Sequence, residues 1–262
     1  MSKPVSNIHQ AVHDASVVDA AITGRYSNRA FQDRPVSRGV VHDILSVARF
    51  APSGANIQPW KVHVVAGAAK SNISSAILSA HECSADEHSA EYKYYATALP
   101  EPFLERRRQF GVTYYGSLGI NQSDQAARSR QTAKNYAFFG APVGLIFAID
   151  RRLEIGSWLD FGMFIQNIMV AAKARGLDTC PQETLAKYHK ILRNYLPITA
   201  EEIVVCGMSL GFRDPAAATS HAAQEKMSVE EFAHFFGFDE PDTDRSAKCD
   251  AKNSSISERT HR

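Results

Sequence analysis

Three stretches of the sequence carry residue types at spacings that suit chemistry. Arg25-Tyr26-Ser27-Asn28-Arg29 sets two guanidinium groups and a hydroxyl close together. Arginine forks match phosphate oxygens in bidentate geometry, so this stretch suits a phosphate cradle, although an exposed basic turn would be spelled the same way. Ala51-Pro52-Ser53-Gly54-Ala55-Asn56-Ile57-Gln58-Pro59-Trp60 is a small-residue loop held between prolines. Small residues let backbone approach a flat ring, while Ser and Asn side chains can bond its edge. Gly207-Met208-Ser209-Leu210-Gly211 fits Gly-x-Ser-x-Gly, the pattern of a strained turn that exposes a nucleophilic serine. It runs on into Phe212-Arg213-Asp214-Pro215 rather than a helix, and the available downstream histidines, His221 and His234, have little core left to support them. The competing reading is a pair of glycines closing a strand in tight packing.

Other groupings are weaker. His9 and His13 share a helical spacing without a third ligand, and His81, Cys83 and His88 read as a solvated helix end, so no metal site is expected. Cys83, Cys180, Cys206 and Cys249 stand singly, which fits neither a disulfide framework nor a zinc ribbon. There is no Gly-x-Gly-x-x-Gly after a strand and no Walker loop, against a Rossmann or P-loop nucleotide site. With 29 Lys+Arg against 28 Asp+Glu, the chain lacks the concentrated basic excess of a nucleic-acid binder. No stretch approaches the ~18 apolar residues of a spanning helix, and the N-terminus lacks the apolar core of a secretory signal. A cytoplasmic protein with no membrane or nucleic-acid partner is expected.

The elements that must position these residues are partly legible. Val17, Val18, Ala21 and Ile22 predict a helix stopped by Gly24. Ser37 caps a second, with Val41, Ile44, Leu45 and Ala48 on its inner face. Trp60–Val65 reads as a strand, Gly67–Ala80 as a helix, and 81–120 as helical pieces around a mobile segment. Ala141–Ile149 is a buried strand by its apolar run. Ser157 and Asp160 spell a capping box for a helix over Leu159–Ala174, apolar almost all round and therefore central or at a subunit interface. A helix through Leu185, Tyr188, Leu192 and Tyr195, a strand over Ile203–Leu210, and a short helix opened by Ser228 and Glu231 complete the list. Residues 1–14 are expected to be a flexible leader, 15–238 the folded domain, and 239–262 a disordered tail.

From end to end the chain resembles the FMN-dependent nitroreductases. The resemblance rests on Arg25 to Arg29, Pro52 to Trp60, Gly176-Leu177-Asp178-Thr179-Cys180-Pro181-Gln182 and Gly207 to Gly211, and spans Val17 to Phe238. Arg106-Arg107-Arg108, Tyr114-Tyr115-Gly116, Asn135 to Pro142 and Ser157 to Asn167 are similar to the nitrobenzene and nitrobenzoate reductase branch. The resemblance implies an α+β fold, a central, mostly antiparallel sheet flanked by helices, in an intertwined homodimer with FMN at the interface. It implies that Arg25, Tyr26, Ser27 and Arg29 hold the FMN phosphate and ribityl chain, and that Lys226 completes the phosphate site. Pro52, Ser53, Gly54 and Asn56 would reach the flavin bound mainly by the other subunit. The backbone around Pro181, Gln182, Glu183 and Thr184 would face the flavin N5 edge, and Ser209 would belong to a strand end. The implied activity is a ping-pong cycle in which NADPH or NADH reduces the flavin and leaves, and a small electron-poor aromatic acceptor then takes two electrons. No side chain would act as a nucleophile. Flavin reduction or another flavin-fold oxidoreduction is the alternative within this class; outside it stand a Ser209 hydrolase and a flavin-binding or redox-sensing protein with no turnover.

Overall fold

A computed structural model of the chain describes residues 15–217 and 224–238. The expected leader and tail, and with them His9, His13, His221 and Cys249, lie outside the described residues. The chain divides into a body, 1–223, and a C-terminal unit, 224–262.

In the body, α1 (Ala15–Thr23) stops where the Gly24 N–H bonds the Ala20 carbonyl at 2.9 Å, as the end of its apolar stripe predicts. α2 (Arg38–Ala48) starts at Ser37, whose hydroxyl accepts from the Val40 N–H and satisfies a donor with no partner inside the helix. β1 (Lys61–Ala66) leads directly into α3 (Gly67–Cys83). Residues 84–120 hold one 3-10 turn, Ala85–Glu87, and α4 (Phe103–Ser117), with α5 (Gln125–Ala133) following. β2 (Val143–Asp150), α6 (Ile155–Lys173), β3 (Asp178–Gln182), α7 (His189–Tyr195) and β4 (Glu202–Gly211) complete the body.

The strands lie in the order β1-β2-β4-β3, with each neighbouring pair antiparallel. β2 is buried on both faces because helices cover both. Leu145, Phe147 and Ile149 pack with Ile44 of α2 and Phe161 and Ile168 of α6, while Ile146 and Ala148 pack with Ile73 and Ile77 of α3 and Leu192 of α7. Each such large apolar side chain contributes about 1.5–3 kcal/mol on burial. The fold is α+β, as expected.

Two local expectations need correction, and one strand was not among those read from the sequence. α6 begins at Ile155, with Glu154 at its N-cap and no side-chain cap, so Ser157 and Asp160 do not form a capping box there. β3 forms a strand despite Pro181, which an edge strand tolerates. In the C-terminal unit, Ser228 and Glu231 do form a capping box, but over a single 3-10 turn, Val229–Glu231, and Phe232, Phe235 and Phe236 remain exposed.

α6 is not buried on every side within this chain. Its Ile155 and Leu159 are 85% and 70% exposed, and Val17 of α1 is 63% exposed.

Candidate active site

The first basic stretch is stitched to the sheet edge. The Asn28 N–H donates to the Thr179 carbonyl at 3.0 Å, and Ser27 bridges Thr179 in parallel register. Gln32 N donates to the Phe212 carbonyl and Asp214 N to that of Ala30, at 2.9 and 3.0 Å. The stretch therefore lies beside β3, and two motifs distant in sequence become one surface. There the Arg25 Nε and the Thr179 hydroxyl are buried without a hydrogen-bond partner. Leaving a charged donor unmet costs at least about 1–3 kcal/mol, so this edge fits an anion with several acceptor oxygens, as FMN phosphate has. The Arg29 guanidinium donates to the Ser27 carbonyl at 3.2 Å and lies 4.6 Å over the Tyr114 ring of α4. The Tyr26 hydroxyl accepts from Arg213 at 3.2 Å.

A different set of contacts holds the Pro52–Asn56 loop. Ala55, Asn56 and Gln58 all take positive φ, near +50°, where side chains other than glycine are strained by about 1–2 kcal/mol each. The Ser53 hydroxyl accepts from the Gln58 N–H, and Asp160 on α6 accepts from the Gly54 N–H, each at 3.0 Å. Asp160, spelled like a capping residue, is instead the anchor of this loop. Behind the loop, Trp60 stacks on Phe164 at 4.7 Å, nearly parallel. Pro52 borders an open groove of about 530 Å³ floored by Trp158, Leu159, Gly162 and Met163 of α6.

The end of β3 is locked from inside. The Gln182 side chain is buried; its amide donates to the Asn135 carbonyl at 2.6 Å and its oxygen accepts from Ser209 at 2.7 Å. With that side chain committed inward, Gln182 has only backbone to offer a ligand. Glu183 and Thr184 follow at the head of a 3-10 turn, Glu183–Tyr188. Burial raises the Glu183 carboxyl above its ordinary value, and its charge helps push the Cys206 thiol, itself raised mainly by burial, up to about 12.

Ser209 sits on β4, the strand between β2 and β3, fully buried and donating to Gln182. A nucleophile must be exposed to substrate and paired with a base, so the hydrolase reading is excluded. The flanking glycines serve packing: a Cβ on Gly207 would lie 2.2 Å from Leu185 Cδ1, and one on Gly211 2.6 Å from Pro142 Cδ.

Residues 81–120, read from the sequence as helical pieces around a mobile segment, bring Tyr92 against α6. Tyr92 donates a short hydrogen bond to the Val205 carbonyl and packs its ring 4.9 Å from Trp158. Burial raises its phenol, with Cys206 and Glu183 adding to the shift, so it stays protonated. The preceding Glu91 is gripped by Arg151 at 2.8 Å, Arg193 at 3.1 Å and His189 at 3.3 Å. Only the clustering of tyrosines hinted at this. Lys226 is exposed in the C-terminal unit. Among the described residues no group of His, Cys, Asp and Glu could hold a metal ion.

Comparison with known proteins gives the same picture. Residues 22–212 match the model of the nitroreductase family. The 4-nitrobenzoate reductase of Pseudomonas putida is 38% identical over 84% of this chain and 96% of its own length. The nitrobenzene nitroreductase of Ectopseudomonas oleovorans is 42% identical over 83% and 96%. Among solved structures, the FMN-dependent nitroreductase NfnB of Mycobacterium smegmatis, in complex with NADPH, superposes with a TM-score of 0.81 at 28% identity, covering 85% of this chain and 99% of that one. With its sheet, its edge-bound arginine stretch and its buried Ser209 all accounted for, the chain belongs to the nitroreductase family.

Proposed function

We propose that this protein is an FMN-dependent reductase of small nitroaromatic compounds that draws its electrons from NADPH or NADH. The observation that carries the reading is the buried, partnerless Arg25 Nε at the β3 edge, in a chain 42% identical to a nitrobenzene nitroreductase. The chemistry a bound FMN supplies is two-electron hydride transfer, from a reduced nicotinamide and then to the acceptor.

Arg25 and Ser27 would bind the phosphate and ribityl chain, with Arg29 and Tyr26 shaping the cradle. Backbone from Pro181 to Thr184 would face the N5 edge, and the Gln182 side chain, tied to Asn135 and Ser209, leaves only its backbone to the cofactor. Tyr92 and Trp158 form an aromatic wall suited to a flat acceptor.

A homodimer completes the site. Exposed Ile155 and Leu159 on α6 and Val17 on α1 are the apolar area that a second copy would cover, and Pro52, Ser53, Gly54 and Asn56 reach the flavin held by the other subunit. A cytoplasmic setting suits this chemistry, and among the described residues no helix is long and apolar enough to cross a membrane.

The test is the absorption spectrum of the purified protein, then anaerobic NADPH or NADH, then nitrobenzene. Flavin bands that bleach and return support both half-reactions. A colourless protein that takes up no added FMN overturns the reading, and turnover with free flavin in place of a nitroarene would mark a flavin reductase.

A further inference from the structure

Between the 3-10 turn Ala85–Glu87 and α4, residues 88–102 form neither helix nor strand, yet Tyr92 within them is fastened at both ends. One fastening uses a gap in the sheet. β3 pairs only with residues 207–211 of β4, so along 202–206 the side of β4 away from β2 carries no strand among the described residues. A register shift in the β2–β4 pairing sets Phe147 against Cys206 and Ala148 against Val204, which leaves Val205 as the extra residue of a bulge. Such a residue drops out of the ladder, and its carbonyl is free for another donor. The Tyr92 hydroxyl is that donor.

The other fastening is a charged staple one residue earlier. Arg151, just past β2, donates to the Ala200 carbonyl at 2.6 Å and to the Glu202 carbonyl at 3.2 Å. Arg193 of α7 donates to the Glu202 carbonyl as well. Backbone acceptors therefore already hold both guanidinium groups at the start of β4. The Glu91 carboxylate joins them at 2.8 and 3.1 Å. The arginines keep their places without Glu91, whereas the irregular segment has Glu91 as its charged tie to the sheet. With Glu91 stapled and the phenol tip bound to Val205, the Tyr92 ring is set 4.9 Å from that of Trp158, which floors the groove bordered by Pro52.

We propose that Glu91 is a positioning residue for acceptor selectivity: it locks Tyr92 against Trp158, and the rigid aromatic wall favours flat nitroarenes over those with a nitro group twisted out of the ring plane. The proposal rests on the functional reading above. A wall that must be ordered when the acceptor binds costs affinity, and a wall that can move adapts to the wrong shape. A wall ordered in advance avoids the first and prevents the second. Glu91 touches no substrate and acts through Tyr92.

The experiment compares nitrobenzene with 2,6-dimethylnitrobenzene, whose ortho methyl groups turn the nitro group out of plane. Wild type should favour nitrobenzene in kcat/KM. Glu91→Gln keeps the shape and removes the charge; it should raise the KM for nitrobenzene on the order of tenfold with kcat little changed, and shrink the preference for the flat substrate. Glu91→Asp keeps the charge and should recover part of the loss. Reoxidation by ferricyanide needs no wall and should keep its rate. Adding Glu91→Gln to Tyr92→Ala should change nothing further, because the two act as one unit. Unchanged KM and preference in Glu91→Gln, a parallel loss with ferricyanide, or additive effects in the double variant would overturn the proposal. A second readout needs no flavin. In flavin-free Trp60→Phe protein Trp158 is the one tryptophan left of the two, and Glu91→Gln should increase acrylamide quenching of its fluorescence. Quenching that does not sense the Glu91 carboxylate would overturn the staple even if the protein proved to bind no flavin.

Discussion

Replacing Asp160 by Ala should loosen the Pro52–Asn56 loop without unfolding the body. Its carboxylate holds the Gly54 N–H at 3.0 Å, a charge-assisted bond worth about 1.5–3 kcal/mol. Set against it are three non-glycine residues at positive φ, Ala55, Asn56 and Gln58, which together store about 3–6 kcal/mol of backbone strain. The Ser53–Gln58 bond and the Asn56 and Ile57 N–H contacts offset part of that strain, so Asp160 decides whether the loop keeps its shape. The loop is solvent-exposed, so the lower end of the range applies; about 1.4 kcal/mol corresponds to a tenfold weaker Kd for FMN. Asp160→Asn keeps an acceptor oxygen at roughly half the strength and should lose about threefold. The assay is FMN titration by fluorescence quenching, with thermal melts of the flavin-free proteins as controls; these should agree within a degree or two. An Asp160→Ala protein that binds FMN within twofold of wild type would refute the reasoning.

Ser209→Ala should keep nitroarene turnover and lose about 1–3 kcal/mol of stability by urea unfolding, because the Gln182 amide oxygen is left buried and unmet; loss of all activity at unchanged stability would count against a structural role. Gly207→Ala should cost about 1–3 kcal/mol by overpacking Leu185, read as a lower Tm, and a Tm equal to wild type would contradict the close approach. Glu202 is buried, which by itself raises its carboxyl, but Lys61 at 2.5 Å and the Thr199 N–H at 2.7 Å hold it below the ordinary value of 4.5. A depressed carboxylate stabilises the fold above its unfolded value and loses that contribution as pH falls through the folded one. Glu202→Gln should therefore be less stable at pH 7, by about 1–2 kcal/mol given the half-exposed Lys61, and the gap should narrow as pH falls below the ordinary 4.5. A gap independent of pH would refute it.

Local signals were legible where a residue acts on its own neighbours. Ser37 caps α2 through Val40, Gly24 ends α1, and the apolar run of β2 reads as a doubly covered strand. The same logic misplaced Asp160, whose spelling three residues after Ser157 promises a cap. The chain leaves β2 and starts α6 three residues too early for that, which frees Asp160 for Gly54. β3 was not legible as a strand, since Asp178-Thr179-Cys180-Pro181-Gln182 has no alternation and contains a proline. Pairing with β4 makes it one.

Sequence by itself determined the alphabet of the site: arginines and a serine for an anion, a small-residue loop for a flat ring, and the family those motifs belong to. It also determined most helices and strands, because capping and periodic burial act over a few residues. Only the tertiary structure decided which of these letters meet. It laid Ser27 along Thr179, turned Gln182 inward onto Ser209 and Asn135, drew Tyr92 onto Trp158, and set Glu91 between Arg151 and Arg193. These contacts join residues tens to more than a hundred positions apart. Their energies depend on burial and geometry that exist only once the sheet and its two helical layers have closed.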